Sequence, residues 1–198
     1  KTFIINSDKE LEKYKDDYGY HIEGNAEFNY SADFQGRLFV DGYLSIKAGW
    51  SIEAWGSIKA GGSIKAWGSI KAGGSIKAGE SIEAWGSIKA GESIEAWGSI
   101  KAGGSIEAGE SYGMSAGLSI TAKGTISFGL KAFAGICTWR TITDDEKTIT
   151  CSKLIGGGVV EYGILVETGE PELDDKTREA MEVLKKAGYK IVKEELLK

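Results

Sequence analysis

Residues 45–110 read SIKAGW-SIEAWG-SIKAGG-SIKAWG-SIKAGG-SIKAGE-SIEAWG-SIKAGE-SIEAWG-SIKAGG-SIEAGE, eleven copies of the unit Ser-Ile-Lys/Glu-Ala-x-x. Ile recurs at every sixth position from Ile46 to Ile106, and Ala follows each by two. Six residues cannot hold a helix, and Ile-x-Ala has the two-residue period of a strand. The next two residues (Gly-Gly, Gly-Glu, Gly-Trp or Trp-Gly) supply a bend, because Gly tolerates dihedrals that other residues avoid. A strand and a corner repeated without a gap predict a mainly β chain folded as a β-solenoid.

The six-residue register extends outward in looser form. Upstream it reads Ile22, Phe28, Phe34 and Val40, and downstream Tyr112, Leu118, Leu130 and Ile136, with Gly124 as the one gap. The bulkier residues at both ends suit capping coils that close an open core. Charge sets the coil size, because stacked coils bring equivalent side chains together and like charges there are unfavourable. With three hexads per coil the rows are Lys47-Lys65-Glu83-Lys101, Glu53-Lys71-Lys89-Glu107 and Lys59-Lys77-Glu95, in which five of eight neighbours are opposite in sign. With two hexads per coil only two of nine are. The expectation is a triangular coil of 18 residues, with six to seven coils between residue 22 and about residue 140.

Residues 51–80 and 81–110 match at 27 of 30 positions, differing at Gly62/Glu92, Lys65/Glu95 and Lys77/Glu107. Thirty residues are five hexads, so the duplication moves each hexad to another face, and the faces must be nearly interchangeable. All three differences add acid and should supply charge pairs.

The flanks read as small α/β caps, which divides the chain into 1–21, 22–136 and 137–198. Thr2–Asn6 suits a strand, and Ser7-x-x-Glu10 has capping-box spacing before a short helix carrying Leu11 and Tyr14 and ending at Gly19. Downstream, Thr138–Thr143 and Thr148–Cys151 around a polar tetrapeptide predict a hairpin, and Val159–Val166 another strand. A helix over Lys176–Ala187 and a strand over Tyr189–Val192 complete the expectation.

The totals narrow the function. Net charge is −5 and the repeat block holds seven acids and seven bases, so there is no basic stripe for nucleic acid. No apolar run approaches membrane-spanning length, and no signal-peptide plan opens the sequence, so a cytoplasmic location is expected. Cys137 and Cys151 lack the spacing of a metal site and read as reduced, buried thiols. No cofactor or metal is expected.

The repeat resembles the hexapeptide-repeat, left-handed β-helix proteins, whose best-known members are acyltransferases with triangular coils; the likeness covers about 110 residues. That family sets a small residue two before the aliphatic one, whereas here the constant Ala comes two after. The resemblance implies left-handed coils, and for the acyltransferases a catalytic His near a projecting loop. The monotonous run and the junction Ala134-Gly-Ile-Cys-Thr-Trp-Arg140 are also similar to uncharacterised proteins of bacterial phages and mobile elements.

The single His, His21, precedes the repeat and reads as a packed capping residue rather than a catalyst. The Ser row, made twelve times over from Ser45 to Ser111, is structural. Trp55, Trp67, Trp85 and Trp97 share the third position after Ile. They either pack over corner glycines or form a protein contact surface, where Trp carries much binding energy. Trp67 and Trp85, eighteen apart, should stack, with Trp55 and Trp97 on the other two faces. The expectation is a non-enzymatic scaffold presenting a rigid surface to a protein partner. A self-assembling, bactofilin-like homo-oligomer is the alternative, and a degenerate acyltransferase ranks last.

Overall fold

In the computed structural model, which describes residues 1–47 and 49–169, the hexads are short strands of Ile-x-Ala divided among three sheets of nine, seven and nine strands. The sheets are parallel except where Lys15–Asp16 pairs antiparallel with Gly19–Ile22. Strands alternate their side chains between two faces, so Ile and Ala point inward and the Lys or Glu between them outward. Every Ile from Ile46 to Ile106 is at most 1% exposed. The first sheet includes Leu44–Ile46, Ile64–Ala66, Ile82–Ala84 and Ile100–Ala102; the second Ile52–Ala54, Ile70–Ala72 and Ile88–Ala90; the third Ile58–Ala60, Ile76–Ala78 and Ile94–Ala96. Within the repeat each strand pairs with the one 18 residues on: Ile64 faces Ile82 and Ile82 faces Ile100. There are about eight coils, so Lys1–Thr168, one compact unit, is a three-sided prism whose rungs rise ~4.8 Å each.

Four of the five opposite-sign neighbours close as ion pairs: Lys65–Glu83 at 3.6 Å, Lys77–Glu95 at 2.9 Å, Lys89–Glu107 at 2.8 Å, and Glu53–Lys71. Each difference between the two 30-residue copies gains a contact, since Glu95 and Glu107 take a Lys and Glu92 accepts the Ser75 hydroxyl at 2.8 Å. The serines form ladders. In one corner column the hydroxyls of Ser51, Ser69 and Ser87 accept the backbone N–H of Ser69, Ser87 and Ser105 at 2.9–3.1 Å.

The corner glycines serve a different purpose from the one the sequence suggested. From residue 50 to 110 no glycine has positive φ. Glycine is required there because coils approach closely: a Cβ on Gly79 would lie 1.9 Å from the Gly61 carbonyl oxygen.

The register outside the repeat also needs correcting. Leu44 and Ile46 stack on Ile64 and Ala66, so Lys65 faces Ser45 rather than Lys47. Lys47 instead reaches Glu27 at 3.6 Å. Phe28, Phe34 and Val40 align with Ile46, Ala54 and Ala60, so they fill the position that Ala holds in the repeat. The slip falls between Ile46, opposite Ala66, and Ile52, opposite Ile70, with Gly49 at φ +84°. A long corner at 109–113 puts Met114 opposite Ile94. The inward residues beyond it are Ile120, Ile126, Phe128 and Ala132, while Tyr112, Leu130 and Ile136 are exposed.

The flanks contribute rungs of their own. Thr2–Ile5 and Gly19–Ile22 pair in parallel with Asn25–Phe28 and Arg37–Val40. The first helix is only Asp8–Leu11 with a 3₁₀ turn over Glu12–Tyr14. It ends before Gly19, which opens a strand at φ +142°. Ser7 makes no side-chain cap; Glu10 instead accepts the Asn6 backbone N–H at 2.7 Å. Leu11 is buried, and Tyr20, buried and donating to Glu12 at 2.7 Å, has its pKa pushed up to about 12, first by burial.

The expected hairpin does not form. Thr148–Cys151 is a parallel strand between Ile120–Ala122 and Ile164–Glu167, because inward Ile149 and Cys151 continue the core. Residues 138–143 belong to a loop, 135–147. The single strand expected over 159–166 is two, Val159–Tyr162 and Ile164–Glu167, divided at Gly163 with φ +116°. The expected helix over 176–187 and strand over 189–192 lie outside the described residues.

Core burial should therefore dominate stability. Ile88→Ala is expected to cost about 2–5 kcal/mol, whereas Lys71→Gln, which breaks an exposed ion pair, should cost less than about 1 kcal/mol. Urea denaturation of the two variants measures the contrast.

Candidate functional site

The three corner columns decide where the predicted tryptophans stand. Trp67 and Trp85 each follow a first-sheet strand one coil apart, and their rings stack at 4.4 Å and 27°. Trp55 lies on the corner after the second sheet, where its indole donates to Asp33 at 3.3 Å. Trp97 lies on the corner after the third sheet. All four tryptophans remain at least half exposed. The structure brings two of the four together and separates the others.

The sequence reading missed the partner of Trp97. The loop 135–147 springs from the rung beyond Gly117, with the Gly135 N–H on the Ala116 carbonyl at 3.1 Å. It reaches back so that Trp139 stacks on Trp97 with centroids 6.2 Å apart and planes 18° apart. A Cβ on Gly117 would stand 2.8 Å from the Trp139 ring, so this glycine leaves the space the indole occupies. The loop is closed by a bidentate pair, Arg140 donating to Glu146 at 2.9 and 2.6 Å, with the Thr143 N–H adding 3.0 Å. The Arg140 guanidinium first, and then the Thr143 N–H, hold the Glu146 carboxyl well below its usual range, at about 2.

Around this stack the third sheet carries an apolar patch. Leu130, Ile136, Val159 and Tyr162 are exposed along its C-terminal strands, and Ile136 lines a hollow together with Trp97 and Trp139. Two hollows flank the outward residues Glu95 and Ser115, which line both. One, about 240 Å³, is walled by Trp97, Ile136, Thr138 and Trp139; the other, about 370 Å³, by Met114, Leu130, Lys131 and Phe133. Glu95 Oε1 takes both Lys77 and the Ser93 hydroxyl at 2.9 Å. At the opposite end of the same sheet, His21 stacks on Phe39 at 4.9 Å and shares a hydrogen bond with Asp41 at 2.9 Å. Lys59 lies over the Phe39 ring at 5.1 Å.

Cys151 is fully buried, which raises its thiol pKa, and Cys137 is half-buried with its thiol toward the Arg140 carbonyl at 3.7 Å. Among the described residues no three His, Cys, Asp or Glu side chains gather as a metal site, and no helix is long and apolar enough to cross a membrane. Neither a family model, nor a curated protein, nor a solved structure matches the chain.

The depressed Glu146 pKa predicts how the loop responds to acid. A carboxyl whose pKa is lowered on folding stabilises the fold above its unfolded pKa and loses that contribution as pH falls through its folded value. The Arg140–Glu146 closure, and with it the Trp97–Trp139 stack, is expected to persist to about pH 3 and to open toward about pH 2. Tryptophan fluorescence of the wild type against Trp139→Phe follows the opening. Glu146→Gln should bring the change on already at neutral pH.

Proposed function

We propose that the chain is a non-enzymatic, rigid scaffold that binds a protein partner through the apolar patch of the third sheet. The observation that carries this reading is the Trp97–Trp139 stack with the hollow it walls, and a second hollow across Glu95 and Ser115. Large side chains held half-exposed on a stiff ladder lose little freedom on binding, and Trp is the residue that most often dominates a protein contact. Trp67 and Trp85 form a second, smaller contact on another corner. The hexapeptide-repeat likeness supports the solenoid without bringing an activity, since the one His is engaged with Phe39 and Asp41. The likeness to phage and mobile-element proteins supports a host defence component as the partner class, with the chain acting as its inhibitor.

A second reading, end-to-end self-assembly, is favoured by the last described rung, where Ile164, Leu165 and Val166 are each about two-fifths exposed. Light scattering over a wide concentration range separates the two. The binding reading expects a constant mass; mass that climbs with concentration supports assembly instead. Affinity capture from a bacterial host lysate follows, comparing wild type with a Trp97→Ala/Trp139→Ala double variant. A host protein retained by the first and lost by the second is expected, and equal retention would remove the patch from the account.

A further inference from the structure

The hollow beside the Trp97–Trp139 stack is lined by more than apolar surface. It carries one carboxylate, Glu95, and two hydroxyls, Ser115 and Thr138, against two indoles. Glu95 is half satisfied. Its Oε1 receives both the Lys77 ammonium and the Ser93 hydroxyl, while its Oε2 accepts no hydrogen bond from any described residue. Lys131, on the other side of Glu95, is held by Glu161 at 3.0 Å. The fixed charges here therefore cancel before anything binds, with Lys77 against Glu95 and Lys131 against Glu161.

An incoming group meets the indoles of Trp97 and Trp139, the Glu95 carboxylate and the hydroxyls of Ser115 and Thr138. Indole faces attract cations. A carboxylate oxygen and hydroxyl oxygens accept from N–H donors. Ammonium is compact and strongly hydrated, whereas guanidinium is planar, weakly hydrated, stacks on aromatic rings and carries five donors in a fixed fork. We infer that this hollow receives an arginine side chain of the protein partner, with the guanidinium against the indoles and its donors on Glu95 Oε2 and the neighbouring hydroxyls. The inference rests on the protein-contact reading and names the chemistry that the partner must present.

The test needs no partner. Acetyl-arginine-amide and acetyl-citrulline-amide have nearly the same shape and differ in charge. Each is titrated into the full chain while the indole N–H signals are followed by heteronuclear NMR, assigned through Trp97→Phe and Trp139→Phe. Arginine is expected to shift the Trp97 and Trp139 signals and leave Trp55 unmoved, with dissociation constants of about 10 mM. Citrulline should bind at least about fivefold more weakly, and Glu95→Gln should weaken arginine by about threefold or more. Glu95→Gln is an exposed change and Trp139→Ala lies in a loop, so circular dichroism should report an unaltered fold for both. Equal shifts from citrulline, arginine shifts unaffected in Trp139→Ala, or no shift at saturating arginine would each overturn the assignment. If these fail while the double tryptophan variant still loses a captured host protein, the contact surface stands and the arginine does not.

Discussion

Everything in this molecule depends on one coil lying directly on the next. The parallel ladder brings equivalent residues 18 apart within a rung of each other, and each position must then tolerate a copy of itself above and below. Inward, Ile and Ala fill the triangular core of the repeat. At the corners, serine hydroxyls accept the backbone N–H one coil on, and glycines admit a neighbouring carbonyl where a Cβ would collide. Outward, Lys must find Glu. The near-identity of the hexads follows from this, because every hexad sees the same three environments in turn.

The same rule explains how the proposed contact surface departs from the repeat. A side chain as large as Trp stands on a corner either stacked on a Trp of the next rung, as Trp67 and Trp85 are, or beside a glycine. Gly117 follows Trp97 one rung on and leaves space for Trp139. The loop 135–147 uses that space to bring in Trp139. The proposed contact therefore lies where the periodic chain meets the non-periodic one, on the third sheet near its C-terminal rungs.

Much of the fold was legible because its signal was periodic. Ile-x-Ala announced strands, the Lys/Glu rows chose three hexads over two, and the eighteen-residue interval placed Trp67 on Trp85. What was not legible was a phase shift that preserves the count of six. Leu44-Ser45-Ile46 is a complete inward-outward-inward strand, yet Ile46 also heads the first perfect hexad, so the two-residue slip at 47–51 was hidden. At the other end, Ser119-Ile-Thr-Ala122 and Thr125-Ile-Ser-Phe128 carried the true register, which counting onward from Tyr112 overrode. Thr148–Cys151 looked like half of a hairpin because local pattern cannot distinguish an antiparallel neighbour from a parallel rung. Trp139 gave no local signal at all, since its place depends on a loop that folds back over a glycine in another coil.

The most direct test of the account is the rise per coil, measured by pulsed electron–electron resonance between spin labels on Ser45→Cys and Thr121→Cys in a Cys137→Ser background. The two outward positions belong to one first-sheet column, four rungs apart through Lys65, Glu83 and Lys101. Four rungs predict a separation of about 19 Å, broadened by the label arms. A separation near 30 Å, as coils of two hexads would give over the same chain length, would contradict the stack and everything built on it.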